Sequence, residues 1–155
     1  MQLRKGFRLW WLLVPILLAD QITKHLARQL TRVVHVIPGV LSWELTHNRG
    51  AAFSMFSGKG VLLALVTVAL VAALLIYQLR HAGNTACERI GLWCIIGGGI
   101  GNLIDRIIFG GVTDFIRLDF VRFAIFNVAD IFVCIGAFMV ILANLTAEFG
   151  RKKHG

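Results

Sequence analysis

The stretch VLLALVTVALVAALLIYQL, Val61 to Leu79, carries no charge at all. A bilayer crossing takes roughly 20 mostly apolar residues, and this run supplies them without interruption. Three further stretches have the same character: Leu9–Ala27 before it, then Ile90–Phe109 and Phe126–Leu145, each with its charges near one end only. The pattern predicts an all-α integral membrane protein with four transmembrane helices. Composition agrees. Of the 155 residues, 57% are hydrophobic and 15% charged, and the mean hydropathy is +0.77. A soluble domain has about 45–50% apolar and about 25% charged residues. So much apolar surface cannot be hidden inside a small globule, and lipid is the expected solvent.

The first stretch has a competing interpretation as a cleaved signal peptide, because Arg4, Lys5 and Arg8 form a basic leader and Leu9–Ala19 is short. Ala19-Asp20-Gln21 is a poor cleavage site, however, and the helical pattern runs on to Ala27, so a retained span is expected. The formal charge of +8 does not imply nucleic acid, since the basic residues form no single stripe. They bear instead on orientation. An even number of spans puts both termini on one side, together with Arg80 and Arg89. There the basic residues crowd into short tails and one short loop, which predicts cytoplasmic termini. Cys87, Cys94 and Cys134 show no metal-ligand spacing and are expected to pack as small apolar residues.

Two outer loops follow from this topology, Leu30–Gly60 and Gly110–Ile125. In the first, Val33–Ile37 and Leu41–Leu45 are β-branched or alternating runs around Pro38-Gly39, which predicts two short strands. The second is expected to be a loop. With no internal repeat, linker or low-complexity segment, residues 1–155 are expected to form a single domain.

A charged side chain in lipid costs several kcal/mol, from about 2.5 upward, so ionisable residues in spans need partners or a task. Here they gather at the outer ends, with nothing comparable at the inner ends: Asp20 and Lys24, then Asn102, Asp105 and Arg106, then Asn127 and Asp130. Asp20 and Lys24, four apart, share a helical face and are expected to pair. Asn102, Asp105 and Arg106 also share a face. As snorkelling helix-end groups they would need no further explanation; Arg106, well within the span, points rather to a buried, oriented role. Gly97, Gly98, Gly99 and Gly101 lack the G-x-G-x-x-G pattern and its βαβ setting, so Gly97 and Gly101 are expected to let helices approach closely. Asp114 stands just past the third span, sixteen residues before Asp130, and a chain that folds back would bring the two together. Asp119 is a rival partner, but between Arg117 and Arg122 it reads as a solvated loop residue.

Two carboxyl groups held a few ångströms apart tend to share one proton. The ionised member acts as general base on water, and the protonated member polarises a carbonyl and then protonates the leaving amine. No cofactor or metal is expected. Other hydrolytic chemistry fits worse: there is no His-Glu-x-x-His, and neither Ser42, Ser54 nor Ser57 sits in a Gly-x-Ser-x-Gly elbow. A Ser–Lys dyad of Ser54 or Ser57 with Lys24 or Lys59 stays open.

Five blocks carry a family resemblance: Asp20-Gln21-Ile22-Thr23-Lys24, Asn48-Arg49-Gly50-Ala51-Ala52-Phe53, Gly101-Asn102-Leu103-Ile104-Asp105-Arg106, Val112-Thr113-Asp114-Phe115 and Phe126-Asn127-Val128-Ala129-Asp130. Each is weak alone. In this order on a four-span scaffold they are specific, and the chain closely resembles lipoprotein signal peptidase, the type II signal peptidase of bacteria. The resemblance implies a membrane aspartyl endopeptidase that removes signal peptides from prolipoproteins, cutting before a cysteine that carries diacylglyceryl. It implies catalytic Asp114 and Asp130. It also implies that Asn48, Gly50, Asn102, Arg106 and Asn127 shape the substrate pocket or support the dyad, and that Asp20, Lys24 and Asp105 are structural. Block by globomycin and a small β-structured cradle in the first outer loop, at the surface of the bacterial inner membrane, are further implications. An outward-facing site is expected from where the polar residues gather, and a chain carrying both aspartates is expected to work as a monomer. Arg49 stands where the family often has an uncharged residue, and the stretch before Asn127 lacks a frequent Trp-Pro, which bears only on the second loop and on substrate preference. The alternative from another class is a non-enzymatic transporter or proton-relay subunit. A relay needs ionisable groups at several depths, whereas these gather at one boundary.

Overall fold

The computed structural model describes residues 7–50, 60–81 and 85–152. Arg4, Lys5, Ala51-Ala52-Phe53, Ser54, Ser57, Lys59 and Lys153 lie outside the described residues. A 3-10 turn, Phe7–Leu12, leads into helix α1, Leu13–Ala27. Strands β1, Val34–Ile37, and β2, Leu41–Asn48, follow. Helices α2, Gly60–His81, and α3, Ala86–Phe109, come next, then strand β3, Val112–Leu118, and helix α4, Val128–Lys152. The apolar stretches of the sequence therefore become helices at the expected places. Three of them, Gly60–Arg80, Ala86–Phe109 and Val128–Phe149, are long and apolar enough to cross a membrane.

α3 is the central helix and packs against the other three. Its start is capped by Thr85, whose hydroxyl accepts the Glu88 N–H at 3.1 Å. Its end is set by Gly110, which takes the left-handed conformation at φ +70° and donates its N–H to the Arg106 carbonyl. Close packing follows from its glycines. A side chain on Gly97 would strike Ile16 of α1, one on Gly101 would strike Asp20, and one on Gly98 would strike the Ala129 carbonyl and Val133 of α4. Gly97 and Gly101 thus face α1, as their spacing suggested. Because the obstacle at Gly98 is backbone, Gly98→Val is expected to destabilise the protein by about 1–3 kcal/mol or more. The check is a lowered thermal midpoint in detergent. In contrast, α2 leaves Val61, Leu62, Leu65, Val66 and Leu70 exposed, which is how a lipid-facing helix looks without its solvent.

The three strands form one antiparallel sheet in the order β1-β2-β3. His35 pairs with Ser42 across β1 and β2, while Ser42, Thr46 and Asn48 pair with Arg117, Asp114 and Val112 across β2 and β3. The first two strands stand where the sequence placed them. The third corrects the expectation of a loop between Gly110 and Ile125. Residues 112–115 are buried in succession, so they show no alternation of polar and apolar residues from which a strand could be read.

Asp119 is likewise not a solvated loop residue. It accepts hydrogen bonds from the Ser42 hydroxyl and from Arg117 Nε at 2.8 Å. The Ser42 bond, joined by the Arg117 guanidinium, holds its carboxyl below the usual range. Glu44 on β2 pairs with Arg117 as well, so a polar ladder ties all three strands. The helix ends remote from the sheet, expected to be bare, also carry polar residues. Glu88 and Gln78 are buried there, and Tyr77 donates to Glu88 at 3.0 Å. Of the cysteines, Cys94 is buried in the helix core, whereas Cys134 is exposed.

Candidate active site

Asn127 is the N-terminal residue of α4 in the capping sense. Its side-chain oxygen accepts the Asp130 N–H at 3.1 Å, and an Asp130 oxygen accepts the Asn127 N–H at 3.2 Å. This reciprocal pair is a capping box, and it fixes Asp130 at the helix N-terminus, where backbone N–H groups favour negative charge. Asp114 approaches from β3. Asn48 Nδ2, on the neighbouring strand, donates to Asp114 Oδ2 at 3.0 Å, and Asn127 Nδ2 donates to Asp114 Oδ1 at 2.6 Å. Gly50 N–H holds the other end of the Asn48 amide at 2.9 Å, so the amide nitrogen is left facing Asp114.

Asn102 on α3 closes the arrangement. Its Nδ2 donates to Asp130 Oδ1 at 2.8 Å, and its Oδ1 accepts from Asn127 Nδ2 at 3.1 Å. Two amides thus bridge the two carboxyl groups: Asp114, Asn127, Asn102, Asp130. Each acid accepts two N–H donors. Asp114 is 3% exposed, and burial pushes its pKa up from 3.8 to about 6. The charge of Asp130 adds to that rise, while the two asparagine hydrogen bonds and Lys24 oppose it.

Beneath this group lies a second layer of charge. Lys24 Nζ, fully buried, donates to Asp20 Oδ2 at 2.9 Å and to Asn102 Oδ1 at 2.8 Å, and lies 3.9 Å from Asp105 Oδ2. Asp20 also accepts the Ala129 N–H at 3.0 Å, tying α1 to the start of α4. Asp20 and Lys24 pair as their spacing predicted. Arg106 is half-buried. Its Nη1 reaches the Asn102 carbonyl at 3.4 Å, and it stands within electrostatic range of Asp130, Asp114 and Asp105.

Both aspartates open onto a cleft of about 650 Å³, whose walls also include Asn48, Asn102 and Arg106 and are otherwise mostly apolar, with Phe120, Val121, Ile131, Val133 and Ile135 among them. The site is therefore a pair of carboxyl groups in a greasy groove. Among the described residues, no three His, Cys, Asp or Glu side chains converge as a metal ion needs. Ser42, His35 and Asp119 meet elsewhere on the sheet, but the serine hydroxyl contacts both the imidazole, at 2.8 Å, and the carboxylate. In a hydrolytic triad the histidine lies between the other two.

Two neighbours escaped the sequence analysis. Arg28 binds Asp105 and Thr113, and Gln21 Nε2 spans Asp20 and the Gly101 carbonyl. For Arg28 the signal was present, since Asp20, Lys24 and Arg28 follow at intervals of four along one helical face.

Comparison with known proteins identifies the family. The family model described as Signal peptidase (SPase) II matches residues 12–146. A protein of Streptococcus thermophilus named lipoprotein signal peptidase is 40% identical over 134 residues, covering 84% of this chain and 88% of its own. One of the same name from Parasynechococcus marenigrum is 38% identical over 143 residues, covering 90% and 89%. Two solved structures, each described as a bacterial membrane enzyme, superpose at TM-scores of 0.81 and 0.78. Both are 30% identical to this chain and cover 86% of it, with 85% and 89% of their own lengths matched. The family match spans the strand and the helix start that carry the two bridged carboxyl groups, and the chain belongs to the signal peptidase II family.

Proposed function

We propose that this protein is an aspartyl endopeptidase of the bacterial cytoplasmic membrane that removes signal peptides from prolipoproteins, cutting just before a diacylglyceryl-modified cysteine. The observation that carries the proposal is the double amide bridge between Asp114 and Asp130 inside one apolar cleft. Asp114, with its raised pKa, is assigned the proton. Asp130, at the helix N-terminus, is the general base. It takes a proton from a water as that water attacks the scissile carbonyl, while the Asp114 O–H polarises the carbonyl oxygen. Collapse of the tetrahedral intermediate breaks the C–N bond, and a carboxyl proton passes to the departing amine. Asn48, Gly50, Asn102 and Asn127 keep the two acids oriented. Arg106 lies beside the reacting centre and is suited to hold the peptide backbone. Asp20, Lys24 and Asp105 support this layer from below.

The apolar walls suit a substrate carrying acyl chains. A fourth crossing by α1 is consistent with length, since its 15 helical residues and the six of the 3-10 turn rise about 34 Å, against roughly 30 Å of hydrocarbon. With four spans, the crowding of basic residues into the short tails and the Arg80–Arg89 loop supports cytoplasmic termini and aspartates at the outer face. One chain carries both acids, so the monomer suffices, and globomycin is expected to compete for the cleft.

The test incubates purified protein with a diacylglyceryl-modified prolipoprotein and with its unlipidated form. Cleavage of the first alone, blocked by globomycin, is expected; no cleavage of either would overturn the proposal. The pH dependence has a definite sign. The working form has Asp114 protonated, so kcat/KM should fall as pH rises through about 6. A rate that climbs steadily from pH 5 to 8 would place the proton elsewhere.

A further inference from the structure

We infer that Arg28 is a positioning residue for the reaction: through Thr113 it sets the direction of the Asp114 carboxyl. This inference rests on the catalytic role proposed for Asp114. Arg28 caps the C-terminal end of α1 and sends its side chain across to β3. Its Nη2 donates to Asp105 Oδ1 at 2.8 Å, and its Nε donates to Thr113 Oγ1 at 3.0 Å. The other Asp105 oxygen accepts the Thr113 N–H at 2.8 Å. The three residues therefore form a closed ring in which Thr113 is held by both its side chain and its backbone. Asp105 is fully buried and Thr113 nearly so.

Thr113 is the residue immediately before Asp114. Successive side chains of a strand point to opposite faces, so clamping Thr113 toward α1 and α3 turns Asp114 toward the cleft. Neutralising Asp105 does not need Arg28 alone, because the Lys24 ammonium already lies 3.9 Å from it. What arginine adds is direction. Two different nitrogens of one planar group reach two acceptors at once, while its face rests 4.0 Å from the centre of the Phe109 ring. A lysine supplies one point charge and cannot reproduce that fork. Displacements near 1 Å at a catalytic group can cost on the order of 100-fold in rate.

The test compares Arg28→Lys and Thr113→Val with wild type, as full chains purified in detergent and assayed on a diacylglyceryl-modified prolipoprotein. Thr113→Val keeps the shape and the backbone bond but removes the hydroxyl that Arg28 holds. For both variants, kcat is expected to fall by roughly 10- to 100-fold, with KM within about twofold of wild type. The fall of kcat/KM with rising pH should shift in position, and Thr113→Val should unfold near the wild-type temperature. Wild-type kcat per folded molecule in both variants, or a raised KM with unchanged kcat, overturns the inference. Asp114→Asn is run alongside. If it is inactive while the other two keep full kcat, only the role of Arg28 is lost. If it is active, the dyad itself is wrong.

Discussion

Asp114→Asn and Asp130→Asn should each lower the rate of prolipoprotein cleavage by on the order of 10³- to 10⁴-fold, the upper part of the range for losing a positioned acid or base. Neither amide can carry the proton traffic that water attack and amine departure demand. The substitutions keep volume, so the helices should assemble as before. A local cost is expected, because every carboxyl oxygen involved accepts an N–H. In Asp114→Asn the new amide nitrogen meets either the Asn127 or the Asn48 nitrogen, and Asn48 cannot simply turn over while Gly50 N–H holds its oxygen. In Asp130→Asn it meets either Asn102 Nδ2 or the Asn127 N–H. Such donor-to-donor contacts cost about 1–3 kcal/mol each, enough to lower a thermal midpoint but far too little to explain a lost activity in protein that remains folded. Cleavage of the lipidated substrate and the unfolding temperature should be measured on the same preparation. A folded variant of either kind working at more than a tenth of the wild-type rate would end the assignment.

How much of this site could be read beforehand depended on which force placed each residue. The acids and amides of the helices were legible because lipid penalises polar groups so heavily that their position alone signals partners. Asp20 and Lys24 were legible for the further reason that their pairing is local. The first half of β3 was not, since burial of Val112 to Phe115 on both faces removes the alternation that marks an exposed sheet. Asp119 was misjudged for a related cause. Its flanking arginines suggested solvent, but its strongest partner, Ser42, lies 77 positions away and is supplied by the sheet. Glu88 is buried and accepts a hydrogen bond from Tyr77 of the preceding helix, and nothing in the flanking sequence marks that contact. The bridge joining Asp114 to Asp130 belongs to the same class. Motif blocks named Asn102 and Asn127, yet which oxygen meets which nitrogen follows only from three elements converging.

The direction of that bridge is itself set by a charge, and this gives Lys24→Met the other large expected effect. Asn102 meets Asp130 through its nitrogen, the end that an acceptor-only carboxylate requires, and donors at the amide oxygen hold it in that direction. An ammonium is a donor only, and Lys24 Nζ lies 2.8 Å from Asn102 Oδ1. The oxygen is therefore drawn toward Lys24, and the nitrogen is left to donate to Asp130. Methionine fills a similar volume without the charge. Among the described residues it leaves Asp20 buried with the Gln21 amide and the Ala129 N–H as donors, while Asp105 keeps Arg28. Removing one partner of a buried ion pair costs about 3–5 kcal/mol, so the single variant should show a large drop in unfolding temperature and a low yield of folded protein. Asp20→Asn combined with Lys24→Met removes both charges, and replacing a whole buried pair is often near neutral, so much of the lost stability should return. The rate should not return in full, because the Asn102 oxygen then loses the ammonium and keeps the Asn127 Nδ2 donor at 3.1 Å, so its nitrogen is held less firmly on the Asp130 carboxylate. Unfolding in detergent and cleavage of lipidated substrate, measured on the single and double variants, separate the two effects. If the double variant regains stability and full cleavage together, the ammonium only balances Asp20, and some other group orients Asn102.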